Sequence, residues 1–499
     1  MSPPCPAGLA IDQYIPSRLS VPRRPPISRL PFSGAVALLK GTPTDMRMHR
    51  PLLALTAAGA ALTSVLAAPA HSAAVPTGGV FYVQSAVTGL NAADSGGAVV
   101  QRNPRGNEDR QQWTLRSSGA SYVLESTDTA GSCLGRSGGQ ARTVACTSGD
   151  APWEITATGT DQYRLKVPGA DQYLTVAAKP SGSNYPAQLA LGAAGNLSSW
   201  YLTPTTSPTS PMPSPDQRTL DQVTFLTSHN AYANGVDGGF APPFVNLVPN
   251  QSRGINQQLT DGVRGFMLDI HQTSDGAILC HNSCTLVSRP VALWVDIQRM
   301  VDYLRANPNE FVTVFLEDYV DPGVLRSELA RVNGLSDVLY RPDQTGVRTK
   351  GWPKMSELIA ANDRLLIFTD HSRSADQSAG LTRDSFGVMY QREWTVENYW
   401  SMGSGLGGSD WSCYSRWYDA NSNVPLTSTA PPFRPLFVMN HFRDAAIAST
   451  ATTDNTKLTD RAQRFCQPAA RKKPNFLAVD RYDLGNPAAA VSTLNGYAY

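Results

Sequence analysis

The chain has 499 residues, of which 41% are hydrophobic and 16% are charged, with 42 Lys+Arg against 40 Asp+Glu. A net charge of +2 offers no electrostatic case for nucleic-acid binding, and this composition excludes a wholly disordered chain. The length corresponds to roughly two to four domains.

The first segment does not have the pattern of a folded domain. Residues 1–45 are rich in Pro and Arg and show no hydrophobic period. We interpret them as a non-native N-terminal extension and expect the true start at Met46 or Met48.

Residues 46–74 have the order of a secretory signal peptide. A basic start precedes the uncharged apolar run 51–69, and small residues follow it. A signal anchor is the rival interpretation, because this run is near the length that spans a bilayer. We predict cleavage and a secreted, extracellular protein. The remaining residues, 75–499, carry a net charge of −3 and an even six Cys, which suits disulfides.

Residues 75–202 repeat a pattern three times. Each copy has a strand-like run and a tryptophan that begins a short β-like stretch. The three tryptophans are Trp113, Trp153 and Trp200, spaced 40 and 47 residues apart. Such repeats predict a pseudo-threefold all-β domain, with the tryptophans as its hydrophobic plugs.

The segment 111–113 reads Gln-Gln-Trp and matches the Gln-x-Trp signature of the ricin-type β-trefoil, which residues 75–202 resemble. The resemblance implies a trefoil fold, a disulfide between Cys133 and Cys146, and carbohydrate as a binding partner. The lectins of this type place an Asp beside a Cys-Leu segment, whereas here Cys133-Leu134 is followed by Gly135. This departure weakens the case for a sugar site.

Residues 203–215 contain five prolines among mainly Ser and Thr. This composition is typical of an extended linker, since it offers too little apolar surface to join a core. It separates the first block from residues 216–499.

Residues 216–499 contain about eight apolar, strand-like runs. They are 223–230, 265–272, 277–282, 311–319, 364–371, 387–391, 436–442 and 475–483. Helical patterns separate some of them, and the clearest covers 291–307, where Trp294 lies on an apolar stripe that predicts it to be core. Apolar strands alternating with helices indicate a covered parallel sheet. The predicted fold class is therefore a TIM-like α/β barrel preceded by an all-β trefoil domain.

Histidines and acids follow these runs at their carboxyl ends. The histidines are His229, His271, His281, His371 and His441, and the acids are Asp269, Glu317, Asp318, Asp370 and Asp480. One such histidine is usually structural, but five on one rim with carboxylates predict an active site there.

Four segments in order carry a second resemblance. They read Ser-His-Asn-Ala-Tyr (228–232), Gly-Val-Arg-Gly-Phe-Met-Leu-Asp (262–269), Leu-Cys-His-Asn (279–282) and Phe-Leu-Glu-Asp-Tyr (315–319). In order and spacing they resemble the X domain of phosphatidylinositol-specific phospholipase C. Within that family the chain is most similar to secreted single-X-domain proteins of bacteria and plants. The resemblance covers nearly all of 217–499.

The resemblance implies acid–base catalysis by two imidazoles, which ordinary histidine pKa values near 6.5 allow. His229 is the expected base for the inositol 2-hydroxyl, and His281 the expected acid for the diacylglycerol oxygen. Asp480 is expected to orient His229, and Asp269 to share the site. The products would be diacylglycerol and a cyclic inositol phosphate.

The sequence departs from the family pattern at the residues that would supply positive charge to the phosphate. The eukaryotic members hold Ca²⁺ at positions that are here Asn230, Met267, Asp269 and Glu317, and a thioether is a poor ligand for a hard cation. The metal-free bacterial members use an Arg at the position of His271. We expect Asn230, Asp269 and Glu317 to bind Ca²⁺ weakly, and His271 and Asn230 to contact the phosphate.

Two disulfides remain open at this stage, because six cysteines permit 15 pairings. Cys280 with Cys284 would close a tight loop beside His281, which leaves Cys413 with Cys466.

The predicted function is a secreted phosphodiesterase of the phospholipase C type, a phosphorus–oxygen lyase acting on a membrane inositol phospholipid. We expect a monomer with no nucleic-acid partner. The alternative is a catalytically weak or inactive surface- or carbohydrate-binding protein built on the same domains, because Met267 and the missing Arg leave the phosphate without an assigned cation.

Overall fold

The computed structural model describes residues 74–76, 78–159, 161–206, 209–238, 249–281, 284, 290–420 and 422–499. The predicted extension 1–45 and all but the last residue of the predicted signal peptide lie outside these ranges. Residues Ala70–Tyr499 belong to one structural unit. Within the described ranges, every helix is too short or too polar to cross a bilayer.

The first part of the fold is built from twelve short strands. They are β1 (Val80–Ser85), β2 (Asn91–Asp94), β3 (Val99–Arg102), β4 (Gln112–Ser118), β5 (Ser121–Ser126), β6 (Ser132–Ser137), β7 (Gln140–Ala145), β8 (Glu154–Gly159), β9 (Gln162–Lys166), β10 (Tyr173–Val176), β11 (Leu189–Gly192) and β12 (Trp200–Pro204). Nine of them close an antiparallel ring in the order β1-β12-β9-β10-β11-β7-β6-β5-β4 and back to β1. We call this ring, with the attached β2, β3 and β8, the N-terminal barrel.

The predicted threefold repeat is visible in the core of the N-terminal barrel. Trp113, Trp153 and Trp200 are fully buried. Each indole Nε1 donates to a backbone carbonyl, of Ala92 (3.0 Å), Leu134 (2.8 Å) and Leu174 (2.8 Å) respectively. A buried indole N–H needs such a partner, and each of the three copies provides it with a backbone carbonyl.

The second part of the fold contains twelve more strands. They are β13 (Ser210–Pro211), β14 (Phe225–Ser228), β15 (Val263–Thr273), β16 (Gly276–Leu279), β17 (Val291–Ala292), β18 (Val312–Tyr319), β19 (Leu365–Thr369), β20 (Val388–Tyr390), β21 (Thr395–Glu397), β22 (Leu436–His441), β23 (Phe476–Val479) and β24 (Tyr497–Ala498). Eight are parallel neighbours in the order β20-β19-β18-β15-β14-β23-β22-β21. We call this sheet the half-barrel.

The α-helices of the described part lie between or after these strands. They are α1 (Ile255–Thr260), α2 (Leu293–Ala306), α3 (Pro322–Ala330), α4 (Val347–Lys350), α5 (Met355–Ala361), α6 (Arg373–Ala379), α7 (Gln391–Trp394), α8 (Ala448–Asn455), α9 (Leu458–Arg461), α10 (Gln467–Ala470) and α11 (Pro487–Leu494).

The predicted fold class, a TIM-like α/β barrel preceded by an all-β trefoil, is wrong. The first part is a closed nine-stranded antiparallel barrel, and the second is a parallel sheet whose end strands β20 and β21 do not pair. These end strands have three residues each, and only the single turn α7 separates them. The described residues between β21 and β22 form neither helix nor strand, so the alternation of strands and helices is broken at this connection.

Both faces of the central strand β18 are buried, as the apolar run 311–319 predicts. Val314 and Leu316 join one hydrophobic cluster, whereas Phe315 points to the other face and stacks on Phe368 at 5.3 Å. The stripe predicted over 291–307 is helix α2. Trp294 is only partly buried, with the Arg331 guanidinium 4.5 Å above its ring.

All three disulfides that the sequence favoured are present, Cys133–Cys146, Cys280–Cys284 and Cys413–Cys466. The predicted linker 203–215 is not free of structure in its described part. Its strand β13 pairs with β24, the last strand of the chain.

Candidate active site

A cavity of about 610 Å³ lies at the carboxyl ends of the parallel strands. This is the edge of an open parallel sheet where ligands bind, because the loops leaving the strands converge there. Five of the seven predicted site residues line it, namely His229, Asn230, Asp269, His281 and Glu317. Asp480 lies directly behind His229, and His271 does not line the cavity.

The His229 ring is held on several sides. Its Nδ1 lies 2.8 Å from Oδ1 of Asp480, a buried carboxylate at the end of β23. The Asn250 side-chain amide donates to the same oxygen at 2.9 Å. The Phe442 ring stacks on the imidazole with 3.5 Å between centroids. With Nδ1 engaged by a carboxylate, Nε2 is the nitrogen available for proton transfer in the cavity.

His281 follows β16 and lies across the cavity, beside Asp269 of β15. The His281 Nε2 is 4.0 Å from Asp269 Oδ2. Burial and the nearby Glu317 carboxylate raise the pKa of Asp269 to about 7, whereas His229 opposes this shift. Burial and His229 lower the pKa of His281, and Glu317 opposes that. The Cys280–Cys284 disulfide encloses this histidine in a short loop, as the sequence predicts.

His271 lies on β15, as Asp269 does, but it does not line the cavity. Its ring stacks on Tyr319, with 4.5 Å between centroids, and burial lowers its pKa. The Tyr319 hydroxyl in turn donates to Glu317 Oε1 at 2.5 Å. The structure therefore does not bring His271 to the cavity wall with the other predicted residues.

The two remaining histidines are outside the catalytic pair. His441 is buried with its Nε2 2.9 Å from the Asp454 carbonyl oxygen, and burial lowers its pKa to about 3. His371 lies 4.0 Å from an Asp376 carboxylate and does not line the cavity.

The donors for Ca²⁺ are incomplete in the described residues. Asn230, Asp269, Glu317 and the Met267 thioether all line the cavity. No three His, Cys, Asp or Glu side chains of the described residues are grouped so as to hold a metal ion. Two carboxylates and one amide supply at most about five oxygens, and the thioether supplies none, so Ca²⁺, which takes six to eight, would need water or substrate to complete its shell. We therefore derive no step through a metal, and Ca²⁺ binding stays a prediction.

Several cavity residues escaped the sequence analysis. Arg416 lies in a segment without a clear period. Asn440 and Arg443 lie within and directly after the strand-like run 436–442, and Gln391 is in α7. The available signal was Glu397, which ends a short β-branched run at β21 and also lines the cavity.

A known family model matches part of the chain. Residues 217–401 match the family model PI-PLC X (PI-PLC X 1). This segment is thus similar to a PI-PLC X domain. The cavity takes His229, His281 and Glu317 from inside the matched segment and Arg416 from the part of the chain that follows it, where Asp480 also lies.

Two of three curated relatives carry the same domain name. The PI-PLC X domain-containing protein At5g67130 of Arabidopsis thaliana is 30% identical over 288 residues, which is 56% of this chain and 62% of the relative. The PI-PLC X domain-containing protein 1 of Arthroderma benhamiae is 25% identical, over 56% of this chain and 86% of the relative. An uncharacterized secreted protein of the same fungus is 26% identical, over 56% and 62%. The match thus spans about 62% of the length of two of these three relatives.

Solved structures are more distant. A Staphylococcus aureus phosphatidylinositol-specific phospholipase C has 14% identity and a TM-score of 0.36, over 56% of this chain and 94% of that one. The Macrolepiota procera ricin B-like lectin has 20% identity and a TM-score of 0.22, over 26% of this chain and 98% of the lectin. Both scores are too low to decide a fold.

Proposed function

We propose that this protein is a phosphodiesterase that cleaves phosphatidylinositol, or a related inositol phospholipid, to diacylglycerol and a cyclic inositol phosphate. The observation that carries the proposal is the pair of histidines in one cavity, each beside a buried carboxylate: His229 with Asp480, and His281 with Asp269. Two separately placed imidazoles are what an internal phosphoryl transfer requires.

The reaction assigns one proton to each imidazole. The Nε2 of His229 would take the proton of the inositol 2-hydroxyl, whose oxygen then forms a bond to phosphorus. The bond from phosphorus to the diacylglycerol oxygen breaks, and protonated His281 would donate a proton to that oxygen. Asp480 would stabilise the protonated His229. A bound phosphate anion would favour the charged form of His281, against the burial that lowers its pKa.

A lipid substrate is supported by the surface around the cavity. Five large hydrophobic side chains are exposed in the described residues, namely Val236, Tyr319, Tyr399, Trp400 and Leu406. All five end a parallel strand or lie in the loop after one, on the cavity side of the half-barrel. Exposed apolar groups gathered on one rim are typical of a surface that meets a membrane. We propose that this rim contacts the lipid bilayer.

The proposed setting is extracellular. Three disulfides form from six cysteines in the described chain, which is typical of exported proteins. One relative is named as a secreted protein. Carbohydrate binding by the N-terminal barrel and a monomeric state stay predictions.

The direct test is incubation with vesicles of phosphatidylinositol, with phosphatidylcholine vesicles as control. We expect a cyclic inositol phosphate, detected by phosphorus NMR, from the first vesicles only. A folded protein that releases no product would contradict the enzymatic proposal and favour the surface-binding alternative. If Asn230, Asp269 and Glu317 bind Ca²⁺, EDTA should suppress turnover and added Ca²⁺ restore it. Indifference to both would contradict a calcium requirement.

The apolar rim yields a second prediction. The double variant Val236→Ser, Leu406→Ser should bind phosphatidylinositol vesicles at least about tenfold more weakly in a sedimentation assay. Each apolar group gains on the order of 1.5–3 kcal/mol when fully buried, and partial insertion of the two side chains already gives the roughly 1.4 kcal/mol that corresponds to tenfold. Neither side chain lines the cavity, so turnover of a soluble inositol phosphodiester should stay near wild type. Unchanged vesicle binding would contradict a role for this rim in membrane contact.

A further inference from the structure

The cavity that would receive an anionic phosphate is rich in negative charge. Five carboxylates line it, those of Asp269, Glu317, Asp370, Glu397 and Asp444. Catalysis at a phosphate requires positive charge or hydrogen-bond donors aimed at its oxygens. Apart from the two histidines, the described lining offers two cations, Arg416 and Arg443.

Most hydrogen-bond donors of Arg443 are already used within the protein. Its Nε donates to Asp454 Oδ2 at 2.6 Å, its Nη1 to the Gly407 carbonyl at 3.1 Å, and its Nη2 to Ser409 and Asp454. The side chain is only 7% exposed. It stabilises the loop after β21 and has few donors left for a ligand.

Arg416 is held at one end and open at the other. Its Nη1 donates to Glu397 Oε1 at 2.9 Å, which is its one side-chain hydrogen bond to the described residues. Glu397 is buried and also accepts bonds from Gln391 (2.9 Å) and Asn440 (2.7 Å), so this carboxylate is a fixed anchor. The Arg416 side chain remains 33% exposed, which leaves Nε and Nη2 as donors for a ligand.

Arg416 also lies near the carboxylates of the catalytic wall. Glu397 raises its pKa most strongly, and Glu317 and Asp370 raise it further. Glu317 in turn acts on His281. Arg416, Glu317 and Asp370 line the same cavity as the two histidines, so the guanidinium shares that cavity with the proposed acid and base.

We propose that Arg416 binds the phosphate of the substrate and supplies the positive charge that neither a complete calcium site nor the arginine of metal-free relatives provides in this chain. The proposal rests on the proposed function for the identity of the substrate. A guanidinium suits the task, because it presents planar paired donors to phosphate oxygens.

The N-terminal barrel fixes the segment that carries Arg416. The Arg105 side chain donates to Ser412 at 2.6 Å and Asp410 at 3.0 Å, and the Cys413 N–H donates to the Pro104 carbonyl at 3.0 Å. On the other side of Arg416, the Lys179 ammonium donates to the Ala420 carbonyl at 3.1 Å and the Asn423 amide to the Val87 carbonyl. The N-terminal barrel is therefore a positioning element for Arg416 as well as a separate fold.

Gly106 offers a way to disturb this contact without touching the cavity. A Cβ on Gly106 would overlap the carbonyl oxygen of Arg464, which lies in a helical turn of the second part of the fold, so the two parts meet there backbone to backbone. The Cys413–Cys466 disulfide connects that contact to the Arg416 segment. Gly149, also in the N-terminal barrel, has open space around the same position.

The first experiment measures binding of inorganic phosphate and of inositol 1-phosphate by calorimetry, independently of turnover. Arg416→Gln should weaken both by about tenfold or more, as expected for loss of a charge-assisted pair of bonds, and Arg416→Lys should recover part of the affinity. The control Arg326→Gln removes the same charge from an exposed site on α3 and should bind like wild type. Equal binding by wild type and Arg416→Gln would overturn the proposal.

The second experiment compares Gly106→Ala with Gly149→Ala. We expect the first to weaken phosphate binding by about two- to thirtyfold and the second to leave it unchanged. Thermal unfolding and circular dichroism establish that both variants are folded. Wild-type affinity in a folded Gly106→Ala would overturn the positioning role of the N-terminal barrel. Phosphate binding through Arg416 without any turnover of phosphatidylinositol would refute the proposed function and leave the anion site standing.

Discussion

Replacement of His229 or His281 by alanine should lower the rate of cyclic inositol phosphate formation from phosphatidylinositol vesicles by a factor of about 10²–10⁴. Each variant removes the only group proposed for one of the two proton transfers, and the described lining of the cavity contains no third imidazole that could replace it. Product formation is followed by phosphorus NMR or by chromatography of the water-soluble products.

The matched control for this pair is His371→Ala, which removes an imidazole that does not line the cavity. It should retain turnover near the wild-type rate. The double variant of His229 and His281 should be little worse than either single variant, because residues that act as a unit are not additive. Full activity in either single variant would refute the assignment of acid and base.

Arg383→Met should destabilise the protein by about 3–5 kcal/mol, because it leaves buried carboxylates without their partner. Arg383 is 1% exposed. Its Nε donates to Asp318 Oδ2 at 2.6 Å, and its other nitrogens bind Asp376 and the Val320 carbonyl. Asp318 also accepts a bond from Thr369 at 3.0 Å, so the arginine joins the ends of β18 and β19 beside the cavity.

Urea unfolding followed by tryptophan fluorescence measures this loss, with the exposed Arg326→Met as the control for the same change of side chain. The free energy of unfolding of the control should lie within about 0.5 kcal/mol of that of the wild type. Equal losses in both variants would contradict a special role for the buried cluster. The sequence shows Arg383 only as a basic residue in a loop, since its partners are 7 and 65 positions away.

Local sequence patterns predicted those elements of the fold whose structure depends on residues that are close together in the chain. The apolar run 311–319 became β18, and the stripe over 291–307 became α2. The period of these patterns decides which face is buried, and that is independent of the rest of the molecule. Closure of the sheet is different, because it depends on the register and length of strands far apart in the chain. The end strands β20 and β21 have three residues each and do not pair with each other, which a run of apolar residues in the sequence does not reveal.

The sequence likewise predicted some features of the candidate site, whereas others depend on packing in the folded chain. His229, His281 and Asp480 could be found from the sequence because each lies at the end of a strand-like run. The carboxyl ends of parallel strands meet at one edge of a sheet, which brings such residues together. His271 follows the same rule, yet its ring stacks on Tyr319 and leaves the cavity wall. A strand end sets the position of a side chain, but only packing sets its direction.

The sequence by itself determined the strand runs and the threefold tryptophan pattern, and it indicated the residues that carry the proposed acid–base chemistry. For the cysteines it gave only a preferred pairing among 15, and the structure decided between them. Only the tertiary structure decided where the charge for the phosphate lies. Arg416 comes from a segment with no secondary structure, and it reaches the cavity because Glu397 and the N-terminal barrel hold that segment in place. Contacts between residues separated by hundreds of positions leave no periodic trace, so the cation of this site emerges only from the folded chain.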